Sequence, residues 1–161
     1  VNGYQILGND DDLENLRKKY SNVLITFGQI KSAENRIKMF SLLKELNFNL
    51  PTIISPKSHV SRYSKISEGS IIMHHAIINA DAEIGMNCII NNKALVEHDT
   101  IVGDHCHIST GSILNGGVKV GKKCFVGSGA VLANSVSIGD NCVIGAGQLV
   151  KKNLNSNELV K

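Results

Sequence analysis

The chain has 161 residues, 42% of them hydrophobic, enough for one sizeable core and a smaller appended unit. Its formal charge of +3 comes from scattered lysines and arginines without a long block of like charges, which argues against a nucleic-acid arm or a membrane patch. No apolar stretch reaches the roughly 18 residues of a membrane span and no signal-peptide order opens the chain, so the expectation is a soluble, cytoplasmic protein with neither nucleic acid nor membrane as partner.

Val1 stands where an initiator methionine would, and the expectation is a sequence that begins inside a longer natural chain. Residues 11–20 (DDLENLRKKY) begin with acids and end with bases, the charge order that suits a helix macrodipole. Val23–Phe27 (VLITF) is an apolar, β-prone run closed by Gly28. Ser32 then caps a segment that puts Ile37, Phe40, Leu43 and Leu46 on one helical stripe. With Thr52–Ser55 (TIIS) as a last strand, residues 1–55 read as a partial Rossmann-like α/β domain, because a βαβ unit needs a larger parallel sheet. The only two prolines, Pro51 and Pro56, mark its end.

A period of six governs the next hundred residues. Every sixth position from Val60 through Ile66, Ile72 and Ile78 to Ile144 and Val150 is Val, Ile or Leu. Four residues after each comes a smaller series that includes Ser70, Ala76, Cys88, Thr100, Cys106, Cys124 and Cys142, broken only by Gln148. A helix would turn by about 240° between such sites and could not bury them on one stripe. A chain that bends after each short strand can, with three hexads closing a triangular coil of eighteen residues. The predicted fold is mainly β, a parallel β-helix of about five coils over residues 56–152, followed by a tail at 153–161. Gly85, Gly103, Gly121, Gly127, Gly139 and Gly145 each follow an inward aliphatic residue, where the chain turns. Cys88, Cys106, Cys124 and Cys142 form a ladder of core residues rather than a zinc site, which would need converging ligands at short spacing.

Chemistry has one obvious address. Val96 and Thr100 point inward, which leaves Glu97, His98 and Asp99 on the outward turn between them. A neutral imidazole can accept a proton at neutral pH, and Asp99 can fix its tautomer; a plain solvated turn is the alternative. His107 precedes inward Ile108 and shares its outward column with Ile89, Phe125 and Val143, a setting that implies a covered surface such as a subunit interface. One coil above His98 lies Gly116, followed by Gly117, where a backbone N–H could meet a developing oxyanion. His59, His74, His75 and His105 are read as surface or packing residues.

The stretches IINNKALVEHDTIVGDHCHISTGSILNGGVKVGKKCFVGSGAVL and IGDNCVIGAGQLVKKNL resemble the hexapeptide-repeat family of sialic acid O-acetyltransferases and UDP-amino-sugar N-acetyltransferases, the bacillosamine-pathway enzyme among them. The resemblance, strong from Ser55 to Leu154, implies a left-handed β-helix, acetyl-CoA as donor, no metal, and an amino or hydroxyl group of a nucleotide-activated or sialic-acid-like sugar as acceptor in bacterial surface-glycan synthesis. It implies His98 as general base, Asp99 as its orienting acid, Gly116 as the amide donor to the thioester carbonyl, His107 near the acetyl group, and Glu97 and His107 at the acceptor. It places the pantetheine arm against Gly127, Ser128, Gly129 and Ala130 (GSGA) and against Gly145 and Ala146, with Lys151 near the phosphates. It implies a homotrimer with active sites between subunits, for which Ile71, Ile77, Ile89, Ile113, Phe125 and Val131 supply apolar outward surface. Family members open with a further strand and a GxGGxG-like loop, and this chain starts on the segment that follows it. A γ-class carbonic anhydrase with His98, His105 and His107 on a metal, or a non-catalytic structural solenoid, are the rival readings.

Overall fold

The structure, a computed structural model, describes residues 3–161. Two-residue strands recur at six-residue steps and feed three parallel sheets in turn, so that, up to Leu149–Val150, strands three apart in the chain pair. The first sheet contains Ile71–Ile72, Ile89–Ile90, His107–Ile108, Phe125–Val126 and Val143–Ile144. The second runs from His59–Val60 through Leu95–Val96 and Ile113–Leu114 to Leu149–Val150. The third runs from Lys65–Ile66 through Ile101–Val102 to Ser137–Ile138. In-register pairs such as His107 with Phe125 and Leu114 with Leu132 lie eighteen residues apart, the spacing that the hexad pattern requires. Both inward series meet in one core, where Ile78, Val96, Ile108, Leu114, Leu132 and Ile144 are fully buried.

Close stacking of the coils explains the glycines. A Cβ on Gly103 would lie 2.7 Å from the Gly121 carbonyl carbon, a backbone contact with no room to yield. The cysteines are buried, unpaired and hydrogen-bonded: their Sγ atoms lie 3.1, 3.0, 3.1 and 3.0 Å from the carbonyls of Gly103, Gly121, Gly139 and Asn155 in ladder order. Burial pushes the Cys106 thiol well above its ordinary pKa, so it stays a neutral donor.

The N-terminal unit departs from the expectation of a Rossmann-like sheet. Helix α1 covers only Leu13–Arg17, after a 3₁₀ turn at Asp10–Asp12, and with no residue fully buried it has little tertiary support for the ten-residue length expected. Helix α2, Glu34–Glu45, buries Arg36, Phe40 and Leu43; its N-cap is Ala33, while Ser32 Oγ accepts from the Glu34 N–H. Val23–Phe27 forms no ladder. A single parallel bridge joins Asn22 to Asn49, and the Ile25 and Phe27 carbonyls are taken by Arg36 Nη1, at 3.0 and 2.8 Å, in place of a neighbouring strand. The TIIS strand belongs elsewhere: Ile53–Ile54 pairs with Ile71–Ile72 and starts the solenoid, whose first sheet therefore begins before Pro56. Residues 153–161 also extend the solenoid rather than trail from it. Leu154 bridges Ile138 in the core, and Leu159–Val160 pairs with Val143–Ile144 after a step of sixteen residues.

Ile25, Phe40, Leu43, Phe48 and Leu50 form a second core, with Met86 of the solenoid packed against it. The unit thereby sits on the corner between the third and first sheets, where Phe40 meets the His105 ring edge-on at 5.7 Å.

Candidate active site

The turn after Leu95–Val96 joins the second sheet to the third. Val96 and Thr100 are fully buried, so the turn presents Glu97, His98 and Asp99 outward. Asp99 adopts φ 58°, a left-handed position that Asp tolerates better than most residues. His98 Nδ1 lies 2.8 Å from Asp99 Oδ2, with both side chains about two-thirds exposed. Nδ1–H donates to the carboxylate, which leaves the Nε2 lone pair as the acceptor. The Asp99 hydrogen bond, aided by the charges of Asp99 and Glu97, holds the imidazole above its ordinary pKa against a smaller desolvation effect. Glu97 is itself anchored, its Oε2 accepting from Asn79 Nδ2 at 2.6 Å on the coil below.

Gly116 stacks directly on this pair. A Cβ there would lie 2.7 Å from both Cε1 and Nε2 of His98, so glycine at this position is a matter of space; its backbone is not left-handed. Gly117 N–H donates to the His98 carbonyl at 2.9 Å, and the Gly116 carbonyl accepts from Ser135 N–H at 3.0 Å, which ties the three coils together. Among the described residues the Gly116 N–H has no acceptor.

The expected pantetheine residues divide between two edges. Gly127–Ala130 and Gly145–Gly147 turn between the first and second sheets, whereas His98, Gly116 and Lys151 lie where the second meets the third. The second sheet, with outward Ile77, Leu95, Ile113, Val131 and Leu149, spans the gap between them. Ala130 is fully buried and offers only backbone to a ligand. Gly127 is needed by coil stacking, since its Cβ would lie 2.5 Å from Ala146 N, whereas a Cβ on Gly145 would come no closer than 3.1 Å, to the Val160 carbonyl oxygen. Ser128 Oγ shares a 2.9 Å hydrogen bond with Ser109 Oγ, and Gly129, at φ 67°, faces open space.

His107 corrects the expectation of a subunit interface over its ring. It lies on the first sheet, across the core from the His98 corner, so the two histidines of one chain do not converge. Its surface is covered, but the cover is this chain's own N-terminal unit. Nδ1 lies 2.6 Å from the Gln29 carbonyl, Nε2 lies 3.1 Å from Asn91 Nδ2, and Phe125 packs edge-on at 5.3 Å, which leaves the ring 8% exposed. Desolvation lowers its pKa and keeps it neutral. His105 is a packing residue, bonded through Nδ1 to Asn87 at 3.0 Å. The triad of a metal site therefore does not form: His98, His105 and His107 sit on a corner, the next corner and a sheet, and among the described residues no cluster of three metal-ligating side chains is found.

Sequence reasoning missed Asn79, Gln29, Asn91 and Arg36. Asn79 was within reach, since it precedes Glu97 by one eighteen-residue coil. Gln29 carried no signal, because its contact with His107 spans 78 residues.

A three-sheet parallel solenoid with an imidazole, a carboxylate and an unbonded glycine amide at one corner defines a hexapeptide-repeat acyltransferase scaffold. The family model described as the GMPPB C-terminal domain matches residues 48–158. The chain belongs to the hexapeptide-repeat sugar acetyltransferases. It is similar to a histidine-to-alanine variant of GDP-perosamine N-acetyltransferase from Caulobacter crescentus, solved with CoA and GDP-perosamine, at 34% identity over 99% of this chain and 75% of that one, with a TM-score of 0.94. It is also similar to the acetyltransferase domain of PglB from Neisseria gonorrhoeae in complex with acetyl coenzyme A, at 26% identity over 99% of this chain and 76% of that one, with a TM-score of 0.90. WeeI from Acinetobacter baumannii shares the fold at 23% identity over 100% of this chain and 77% of that one, with a TM-score of 0.81. No curated protein sequence matches the chain. No helix among the described residues is long and apolar enough to cross a membrane.

Proposed function

We propose that this chain transfers the acetyl group of acetyl-CoA to the amino group of a nucleotide-linked sugar in surface-glycan synthesis, with His98 as general base and Gly116 as oxyanion donor. The observation that carries the reading is the juxtaposition of His98 Nε2 and the unbonded Gly116 N–H on stacked coils. The relatives solved with CoA, GDP-perosamine and acetyl-CoA support the donor and the acceptor class.

His98 Nε2 takes a proton from the acceptor nitrogen as that nitrogen forms its bond to the thioester carbonyl carbon. Asp99 holds Nδ1–H and stabilises the imidazolium that results. The Gly116 N–H donates to the carbonyl oxygen as negative charge develops there. When the C–S bond breaks, the imidazolium returns its proton to the leaving thiolate, and no acetyl-enzyme is needed, since all four thiols lie in the core.

The acceptor reads best against the N-terminal unit, where Asp10, Phe27, Asn35, Lys38, Met39 and Leu42 line a depression of about 330 Å³. That unit sits on a different corner of the solenoid from His98 of the same chain, so a catalytic centre that uses both draws on two subunits of a homotrimer. The exposed second sheet, with Ile77 and Leu149 at its ends, suits the contact. Gly127–Gly129, Gly145 and Ala146 would hold the pantetheine arm, and Lys151 the phosphates. Four unpaired thiols suit a reducing compartment and support a cytoplasmic setting.

His98→Ala tests the assignment in an acetyl-CoA assay against amino sugars carried on nucleotides, with sialic acids as the hydroxyl comparison. Turnover should fall by about 10²- to 10⁴-fold with the oligomer intact. Turnover close to that of the parent would refute it.

A further inference from the structure

The three corners of the solenoid differ in charge. The corner between the second and third sheets carries Asp81, Glu97 and Asp99, and the corner between the third and first carries Glu68, Asp104 and Asp140. The turns between the first and second sheets, at 55–58, 73–76, 91–94, 109–112, 127–130 and 145–148, hold no Asp or Glu, and neither do the outward positions of the two sheets that flank them. On this acid-free edge stand Lys57, His75 and Lys93, all exposed and eighteen residues apart.

The three form one column. His75 N–H donates to the Lys57 carbonyl at 3.0 Å and Lys93 N–H to the His74 carbonyl at 3.0 Å, so consecutive coils set the side chains one above another. At about 4.8 Å per coil the column spans roughly 10 Å, enough for two linked phosphates. Continued upward it becomes Gly111, Gly129 and Gly147, with φ of 66°, 67° and 68° and open space where a Cβ would lie. His75 and Lys93 take the same left-handed conformation, φ 59° each, which glycine adopts freely and these residues do not. The lower coils thus keep basic side chains against a backbone preference. Lys57, His75 and the neighbouring His59 line a depression of about 400 Å³. Elsewhere on the solenoid lysines meet acids, as Lys65 meets Glu83 at 2.7 Å and Lys122 meets Asp104 at 2.9 Å. Lys57 and Lys93 make no ion pair among the described residues.

We propose that Lys57, His75 and Lys93 are a phosphate-binding ladder that takes the diphosphate of the acceptor. This deepens the reading above, on which it rests, that the acceptor is a nucleotide-linked sugar. Ammonium groups and an imidazole N–H donate to phosphate oxygens, and unpaired cations without a carboxylate among them raise the local concentration of a polyanion. Coenzyme A also carries a diphosphate, so the substrate whose affinity depends on the ladder identifies the source.

The variant Lys57→Gln, His75→Gly, Lys93→Gly removes the ladder. Glycine suits φ 59°, so the melting temperature should hold or rise and a loss of binding is separated from a loss of fold. The KM of a nucleotide-linked amino sugar should rise by roughly 10- to 100-fold, most at low salt, with kcat and the acetyl-CoA KM within about twofold of the parent. The pair Lys65→Gln, Lys119→Gln takes two charges from the third sheet and should leave all three constants at parental values. An unchanged acceptor KM, an equal rise in this control, or a rise confined to the acetyl-CoA KM, which would assign the ladder to the donor, overturns the proposal. If the parent transfers no acetyl group, the functional reading fails separately, and calorimetric titration with GDP and UDP decides the ladder. Binding weakened tenfold or more in the ladder variant and not in the control supports it; equal binding in both, or none by the parent, overturns it.

Discussion

Gly116 and His98, eighteen residues apart in the chain, stack so closely that a methyl group on the glycine would lie 2.7 Å from Cε1 and Nε2 of the imidazole. Gly116→Ala keeps the backbone N–H but forces the exposed ring aside. Misplacement of a catalytic group by about an ångström costs on the order of 10²-fold, so kcat should fall by about that factor with little change in melting temperature. Parental kcat would show that ring placement is not held by this contact.

Asp99 favours the charged form of His98, whose pKa lies above its ordinary value of 6.5. Only neutral His98 can act as base, so the rate should decline as pH falls through that raised value. Asp99→Asn removes the partner that favours the imidazolium. The acid limb should move to lower pH, and the plateau rate should drop by about tenfold or more as the tautomer is lost. An unmoved limb in kcat/KM against pH would assign it to another group.

His105 and His107 carry the opposite sign, because burial lowers both from 6.5. The unfolded chain takes up protons near pH 6.5 while the folded chain resists until lower pH, so stability should be full above that value and decline as pH falls through the window below it. Urea titrations at stepped pH should show the decline, and His107→Asn should reduce it.

Coil stacking sets the cost of adding a single carbon. Gly103→Ala puts a Cβ against the Gly121 and Lys122 backbone at 2.7 to 2.9 Å and should destabilise by about 1–3 kcal/mol, read as a lower melting temperature with unchanged acetyl-CoA KM.

The thiols should be silent. Cys88, Cys106, Cys124 and Cys142 are fully buried, so an aromatic disulfide reagent should titrate none in the folded protein and four after denaturation. Reaction of a native thiol would contradict the ladder.

The solenoid was readable in residue order because each inward position repeats with a spacing that only this fold can bury. The same eighteen-residue arithmetic puts Gly116 on His98 and Asn79 beneath Glu97. The N-terminal unit resisted such reading. VLITF has the composition of a strand, yet strand or strap depends on what meets its carbonyls, and here that is the guanidinium of Arg36. TIIS reads as a strand, but composition does not name its partner, Ile71–Ile72.

What the amino-acid order determined alone is whatever follows from local periodicity: the coil, its inward faces, its corners and the outward turn that carries Glu97, His98 and Asp99. Tertiary structure alone decided what covers His107, since its Nδ1 partner is a backbone carbonyl 78 residues away. A carbonyl is common to every residue, so no side chain at position 29 could announce that bond, and only the folded path of the chain brings it there.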